Sequence, residues 1–476
     1  MNAIIQYFRQ PVRLFYLIAL IAIALNIALI QLGLPVLGWL LPIAILLVIF
    51  FIYRLDYIFF FIVFSTPLAV NIEDLFPQLS LSVPTEPLLA ALLLIFLLKL
   101  LMRQLPDPRI FRHPIVILVI INLLWMAVTS FSSQLPVVSF KHLIARLWFV
   151  VPMLFMGTAL FSKLKNIKLF YWLYIIAFII VIINTTINHA AYGFSEKGAN
   201  WSMAPFFNDH TAYGVMLAFF IPVLAGFTLS RIYRFPVRWV SLMLLILFSG
   251  ALILSYCRAA WFSVAVSAIV FLLIVFRIRF RWVALSLFII IGGFYTYQQV
   301  LMDRLAKNKQ DSSANYIEHI ESISNVSSDA SNLERINRWH SAIRLFLERP
   351  NLGWGPGTYQ FVYGPYQQSR EKTIISTDLG ERGNAHSEYL GPLADSGWPG
   401  LLAVLILFST IVFYGIKVYQ KAALKEVRLL SLITLLSLIT YMAHGFMNNF
   451  LDTDKSSIPF WGFTAIITAL DLYHKD

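Results

Sequence analysis

The sequence predicts an all-α polytopic membrane protein with about 12–14 transmembrane helices and one large extracytoplasmic loop that contains short helices. Of its 476 residues, 59% are hydrophobic and only 13% are charged, whereas about 45–50% of the residues of a soluble domain are apolar. Apolar runs of about twenty residues recur along the chain, and each is long enough to cross a bilayer as a helix. Lys and Arg are concentrated in alternate short connections between these runs, which is typical of a multi-pass protein.

Fourteen apolar segments fit transmembrane spans. The first is not a signal peptide, because its apolar stretch is too long and no small-residue cleavage site follows it. The segments lie near residues 13–32, 35–53, 57–71, 87–103, 114–132, 146–162, 168–187, 208–229, 237–256, 259–276, 282–299, 398–416, 429–446 and 457–473. They predict an N-terminal transmembrane region at 1–299 with about eleven spans, an extracytoplasmic loop at 300–396, and a C-terminal transmembrane region at 397–476 with about three spans.

The basic connections are expected on the cytoplasmic side of the membrane. One alternate set of connections, which begins with RQPVR near the N terminus and ends at Lys475, holds 21 of the 36 Lys and Arg residues. The positive-inside rule places this set and both termini in the cytoplasm, and it places the 300–396 loop outside. The net charge of +12 is therefore a topology signal. Membrane lipids are the expected surroundings, and a nucleic-acid partner is not expected.

Several kinds of site are excluded by residue content. The single cysteine, Cys257, cannot form an internal disulfide or a thiolate cluster. The chain has no His-Glu-x-x-His motif and no pair of histidines at ligand spacing near a carboxylate, so no metal site and no cofactor are expected. The span interiors contain few ionisable residues, and Asn26 and Asn122 are the notable polar ones. This pattern disfavours an ion-coupled transporter, which keeps charged groups or broken helices near the midplane.

Arg258 is the first candidate site residue. It lies in the stretch LSYCRAAWF, at the predicted extracytoplasmic turn between two spans. One interpretation is a side chain that only extends from the membrane boundary into water. The other is a guanidinium that binds a phosphate or diphosphate headgroup in bidentate fashion. The spacing alone leaves both open.

A helix in the long loop supplies the second group of candidates. Residues 335–346 have helical periodicity, with Ile336, Trp339, Ile343 and Phe346 on one face, and Arg335 lies one turn before Trp339. Pro350 is expected to end the helix, and the segment GWGPGTY follows with Gly355 as its central glycine. These glycines predict either a tight turn or a set of exposed amides that could meet an anion.

His386 is the third candidate, in the stretch AHSEYLGPLADSGWPG that leads into the next span. Histidine is the usual general base near neutral pH. Here it lies where the outer loop returns to the membrane, which is where a lipid-linked substrate would present its headgroup. Glu388 and Asp395 are candidates for orienting or tuning the imidazole.

The ordered motifs resemble those of the O-antigen ligase and O-antigen polymerase superfamily. They are CRAAW, the Arg335-x-x-x-Trp339 pair, the glycine segment that starts at Pro350, and AHSEYL with SGWPGLL, and together they span about 258–402. The resemblance implies an inverting, metal-independent glycosyltransferase in the cytoplasmic membrane. The implied donor is a glycan linked to undecaprenyl diphosphate, and the implied acceptor is a hydroxyl of a lipid A core, a glycan or another molecule.

The resemblance also implies roles for individual residues. Arg258 and Arg335 match the arginines thought to hold the diphosphate, and His386 matches the histidine thought to deprotonate the acceptor. Lys197 and His210 stand near two further family positions, in EKGANWSMAPFFNDHTAYG, but without a clean match.

Alternatives from other classes are a lipid-linked oligosaccharide flippase and a small-solute transporter. Both would be expected to carry charges within their spans, and a flippase would lack the long outer loop. Within the superfamily, we expect an O-antigen ligase-like transferase, and the alternative is an O-antigen or exopolysaccharide polymerase.

Overall fold

A computed structural model of the protein describes residues 53–73, 81–104, 106–278, 333–369, 371–373 and 383–475, together with residues 20, 23–27, 31, 50, 281, 296 and 376. The predicted spans near 35–53 and 282–299 lie almost entirely outside the described residues, and the span near 13–32 lies largely outside them. Contacts divide the chain into a short unit, Met1–Ile62, and a main unit, Val63–Asp476. The predicted boundaries at 299 and 396 stay predictions.

The described part is built almost entirely of α-helices, which confirms the predicted fold class. Eight of its helices are long and apolar enough to cross a membrane. The helices are α1 (Leu55–Ser65), α2 (Thr85–Leu101), α3 (Pro108–Phe111), α4 (Pro114–Phe131), α5 (Pro136–Leu160, with a π-helical stretch at Val151–Met156), α6 (Leu164–Ala191), α7 (Glu196–Ala199), α8 (His210–Leu229), α9 (Phe235–Leu254), α10 (Arg258–Val275), α11 (333–348), α12 (Tyr359–Val362), α13 (Leu390–Lys421), α14 (Lys425–His444) and α15 (Asp454–Tyr473).

The remaining regular structure is small. The strands β1 (Val70–Asn71) and β2 (Ser82–Val83) pair antiparallel, and 3₁₀ turns occupy Thr66–Leu68 and Gly364–Tyr366. Helices dominate because a backbone inside a bilayer must satisfy its hydrogen bonds within the segment itself.

The core of the main unit is formed by α14 and α15. Helix α14 contacts α8, α10 and α13, and α15 contacts α5, α13 and α14. Residues 454–470 of α15 are buried without a break. A helix that is buried on all faces carries apolar and small residues around its whole circumference, which explains the weak amphipathic pattern of both segments.

A buried ammonium group ties the start of α15 to the turn before β1. Lys455 Nζ donates to the main-chain oxygens of Thr66 and Ala69, at 2.7 and 2.6 Å. The hydroxyl of Thr85, at the start of α2, donates to Asp454 Oδ2 at 2.5 Å. Because a buried charge is costly unless it is paired and hydrogen-bonded, these contacts fix the geometry at this end of the bundle.

Helix α11 confirms the predicted loop helix. The helix covers 333–348 and ends just before Pro350. Ile343, one of the four apolar residues that share a face, is 40% exposed. The buried positions are Glu334, Asn337, Arg338, Ser341, Ala342 and Leu345. The buried face therefore carries polar and charged groups, several of which pair with one another.

The glycine segment after Pro350 is hydrogen-bonded to the first turns of α13. Asp395 Oδ2 accepts from Gly357 N at 2.8 Å, and its Oδ1 accepts from Tyr359 N at 3.2 Å. Gly355 N donates to Asp395 O at 2.8 Å. Helix α13 is interrupted at Gly397, whose φ is 69°. A Cβ there would lie 2.5 Å from the main-chain oxygens of Pro350 and Asn351, so this close approach requires glycine.

Candidate active site

His386 lies in the short segment that joins the loop to α13. Its φ is 47°, in the left-handed region that non-glycine residues seldom adopt. The turn is held by His386 N, which donates to Asn384 Oδ1 at 3.0 Å, and by Arg338 Nη1, which donates to Asn384 O at 3.2 Å. Among the described residues, no hydrogen bond uses an imidazole nitrogen of His386, so the ring remains available to a substrate.

The pKa of His386 is lowered to about 3, chiefly by burial and then by the positive charges of Arg338 and Arg335. The carboxylates of Asp209 and Glu334 act in the opposite direction. The imidazole is therefore neutral at physiological pH, and the neutral form is the one that can accept a proton.

Arg335, near the start of α11, lies close to the start of α10. Burial lowers the pKa of Arg335, while Cys257 and Asp209 act to raise it. Cys257 immediately precedes Arg258, and Asp209 immediately precedes α8. The structure therefore brings three segments that are far apart in sequence to one place, and His386 shares Arg335 and Asp209 as electrostatic neighbours.

Arg258 is the first residue of α10, and its side chain points outward with 64% of its surface exposed. Its Nη2 lies 3.9 Å from Glu196 Oε1 in α7. At that distance and exposure the ion pair is weak. The guanidinium can thus exchange Glu196 for an anionic ligand at little cost.

Asp209 is a site residue that sequence reasoning missed. Its Oδ1 caps α8 by accepting from Thr211 N at 2.7 Å and Ala212 N at 2.8 Å. Among the described residues, no hydrogen bond uses Oδ2. An aspartate directly before an apolar helix is a recognisable N-cap signal, and that signal was present in the stretch FNDHTAYG.

The supporting candidates separate into three groups. His210 lies within the electrostatic reach of Arg335, Asp209 and Glu196, so it belongs to the same neighbourhood. Lys197 is exposed in α7, beside Glu196. Trp339 packs edge-on against Phe446, with ring centroids 5.7 Å apart, and so joins α11 to the end of α14.

Gly355 and Glu388 have structural partners instead. A Cβ on Gly355 would lie 2.0 Å from Ser133 Oγ, so this glycine permits close packing against the α4–α5 turn. Glu388 Oε1 accepts from Tyr441 Oη at 2.6 Å and from the main-chain nitrogens of Phe450 and Leu451. It therefore holds the connection between α14 and α15.

Within the described residues, no group of three or more His, Cys, Asp or Glu side chains is placed to hold a metal ion. The charged groups around His386 are Arg335, Arg338, Asp209 and Glu334. A neutral imidazole beside guanidinium groups can accept a proton from a hydroxyl near a bound anion.

The fold and this site define a class: a multi-pass α-helical membrane protein in which a histidine, two arginines and two carboxylates lie close together. Residues 242–405 match the family model described as O-Antigen ligase. This match confirms the resemblance to the O-antigen ligase and O-antigen polymerase superfamily, and the matched region contains Arg258, Arg335 and His386. No curated protein matches the chain.

Proposed function

We propose that the protein transfers a glycan from an undecaprenyl-diphosphate donor to an acceptor hydroxyl, as an O-antigen ligase does. The observation that carries this proposal is the neutral imidazole of His386 beside the guanidinium of Arg335, which itself lies near the start of α10 and Arg258. A base next to cationic groups suits a reaction in which a hydroxyl loses its proton while a diphosphate leaves.

The reaction is a single displacement at the anomeric carbon of the donor. The acceptor oxygen forms a bond to that carbon, the bond to the diphosphate oxygen breaks, and the configuration inverts. His386 takes the hydroxyl proton. Arg258 and Arg335 offset the negative charge that develops on the lipid diphosphate, and the mechanism needs no metal ion.

Binding of the donor changes the pKa of His386. A pKa of about 3 makes His386 a weak base in the free protein. A bound diphosphate brings several negative charges close to Arg335, and these counter the positive field that depresses the pKa. Donor binding therefore raises the basicity of His386 toward the pH at which proton transfer is efficient.

The site lies on the extracytoplasmic face of the cytoplasmic membrane in this proposal. The distribution of Lys and Arg among the connections supports this orientation, with both termini in the cytoplasm. The product would be a cell-envelope polysaccharide or lipopolysaccharide. The acceptor is a lipid A core in the ligase form of the proposal and a growing glycan in the polymerase form.

Transfer by the purified protein tests the proposal. The protein in lipid nanodiscs is supplied with a synthetic undecaprenyl-diphosphate glycan and, separately, with a lipid A core or with a second glycan donor. One glycan joined to the core indicates a ligase, and a ladder of repeats indicates a polymerase. Transfer that survives EDTA and gives the inverted anomer agrees with the mechanism. Absence of any transfer with both acceptors contradicts it.

A further inference from the structure

A cavity of about 100 Å³ with both polar and apolar lining lies next to the segment that directly follows His386. It is lined by α4, α5, the start of α13, and the segment that joins α14 to α15. Ser387 and Glu388 directly follow His386 and belong to its lining. The cavity is therefore within one or two residues of the candidate base along the chain.

The charged groups of the cavity are paired inside the protein. Arg146 Nη2 donates to Asp452 Oδ1 at 2.8 Å, and its Nη1 donates to Leu451 O at 3.0 Å. His142 Nε2 lies 3.7 Å from the same Asp452 oxygen. Asp395 is held by two main-chain amides. Because the one guanidinium already faces a carboxylate, the cavity does not suit an anion such as a diphosphate.

Two neutral groups in the lining lack partners among the described residues. They are the indole Nε1–H of Trp461, a residue that is only 5% exposed, and the amide oxygen Oδ1 of Asn449. A buried donor or acceptor without a partner costs free energy. One unmet donor and one unmet acceptor in the same cavity match a hydroxyl group, which both donates and accepts.

Gly391 shows where the open space lies. It is buried and lines the cavity, yet a Cβ built on it would meet no heavy atom within 4 Å. A side chain at this position therefore has open space at its Cβ, next to the cavity.

We propose that this cavity binds a neutral, hydroxyl-bearing part of a sugar substrate. The inference rests on the proposed function, because it assigns the cavity to the acceptor glycan or to the first sugar of the donor. A hydroxylated ring held against Trp461 and Asn449 lies beside Ser387 and Glu388, which directly follow His386, so the cavity is placed to orient a sugar substrate relative to the base. The cavity thus contributes positioning and selection, separately from the diphosphate site.

Two matched pairs of variants test the proposal through transfer kinetics. Gly391→Leu fills the cavity, and Gly250→Leu is its control, because a Cβ at Gly250 also meets nothing within 4 Å. Trp461→Phe removes the unmet N–H, and Trp148→Phe removes another buried indole N–H that has no partner among the described residues and lies outside the cavity.

The expected result is a rise in the KM for one sugar substrate in both cavity variants and in neither control. Loss of one hydrogen bond in Trp461→Phe corresponds to about a 2- to 10-fold rise. The thermal stability of this variant is compared with that of Trp148→Phe, because the two substitutions remove the same ring atoms and both destabilise by loss of packing. A rise in the acceptor KM assigns the cavity to the acceptor, and a rise in the donor KM assigns it to the donor. Unchanged KM values for both substrates would overturn the proposal.

A binding measurement separates this proposal from the proposed function. Saturation-transfer NMR is recorded on the full-length protein with a panel of neutral methyl glycosides and with inorganic diphosphate. At least one glycoside is expected to bind the wild type and Gly250→Leu but not Gly391→Leu, while diphosphate binding is the same in all three. This result would support the cavity even if no transfer were found. Glycoside binding by none of them, or equally by all three, would refute it.

Discussion

The guanidinium of Arg338 donates a hydrogen bond to the main-chain oxygen of Asn384, two residues before His386, at 3.2 Å. The same side chain pairs with Glu334 at 2.9 Å and lies 5.4 Å from the centre of the Tyr363 ring. A Cβ at Gly383 would lie 1.8 Å from its Nη1, so the segment passes as close as glycine allows. Arg338 therefore sets both the position of His386 and part of the electric field on it.

Replacement of Arg338 by Met is expected to destabilise the fold. The change leaves the carboxylate of Glu334 buried without its cationic partner, which costs about 3–5 kcal/mol when a buried ion pair loses one member. Chemical unfolding in detergent measures the loss. Because the two residues are in contact, Glu334→Gln combined with Arg338→Met should cost less than the sum of the single changes. Strictly additive costs would contradict the pairing.

Arg258→Ala and Arg335→Ala are each expected to abolish transfer while the protein still folds. Arg258 is largely exposed and forms only a weak ion pair, so its loss removes a ligand for the diphosphate and little else. Arg258→Lys should also be poor, because Lys lacks the planar fork of donors. Lys197→Ala, a nearby exposed cation, is the control and should retain activity. Near-normal turnover of Arg258→Ala would remove that residue from the diphosphate site.

His386→Ala is expected to lose transfer but to retain donor binding, because the arginines hold the diphosphate. In the wild type, kcat/KM should stay constant from pH 8 down to about 5, since the free imidazole with a pKa of about 3 remains neutral there. The profile of kcat should fall at a higher pH, because bound diphosphate raises the pKa of the base.

His340→Ala is the matched control for this prediction. His340 Nδ1 lies 2.9 Å from Glu371 Oε1 and its side chain is 45% exposed, so its loss should be mild. A well-folded, inactive His340 variant beside an active His386 variant would move the base to His340. Identical pH profiles for kcat and kcat/KM would contradict the coupling between donor and base.

Glu388 is expected to affect the thermal stability of the protein and not the pH dependence of transfer. Burial raises its pKa, and the nearby Asp452 raises it further, so Glu388→Gln resembles its protonated form and should be mild. Glu388→Ala leaves the hydroxyl of Tyr441 and the main-chain amide of Leu451 without an acceptor, and each such loss costs about 1–3 kcal/mol. Phe450 N keeps Tyr441 Oη as an acceptor at 3.2 Å. Thermal unfolding checks both variants. A shifted pH profile in Glu388→Gln would show instead that Glu388 tunes the base.

The proposed orientation predicts labelling by a membrane-impermeant thiol reagent. In a Cys257→Ala background, Ser369→Cys in the loop should react in intact cells, whereas Ser162→Cys after α5 should react only after the membrane is permeabilised. Both serines are exposed, so a lack of reaction reflects the membrane and not burial. The opposite pattern would reverse the orientation.

The helices were predictable because a long apolar run has few alternatives in a bilayer. The proximity of Arg335 to the start of α10 could not be predicted, because it depends on how α8, α10 and α11 pack. Hydrophobicity does not specify such contacts. Glu388 was a plausible neighbour of His386 because residues two apart in an extended segment share a face. The chain is not extended at His386, where φ is 47°, and Glu388 instead bonds Tyr441 and the connection between α14 and α15. The sequence did not identify Arg338 as a site residue, because its role depends on a hydrogen bond to the main-chain oxygen of Asn384.

The hydrogen bonds between the glycine segment and the first turns of α13 bear on how relatives can be recombined. Trp354 N donates to Ala394 O, and Trp398 N donates to Pro350 O, at 3.1 and 2.9 Å. The two halves fit each other closely at two glycines, because a Cβ at Gly353 would lie 2.5 Å from Asp395 O and a Cβ at Gly397 would lie 2.5 Å from Pro350 O. A chimera of two homologues whose junction lies between the glycine segment and α13 would mismatch these contacts. Exchange of residues 350–398 as one piece would keep them intact.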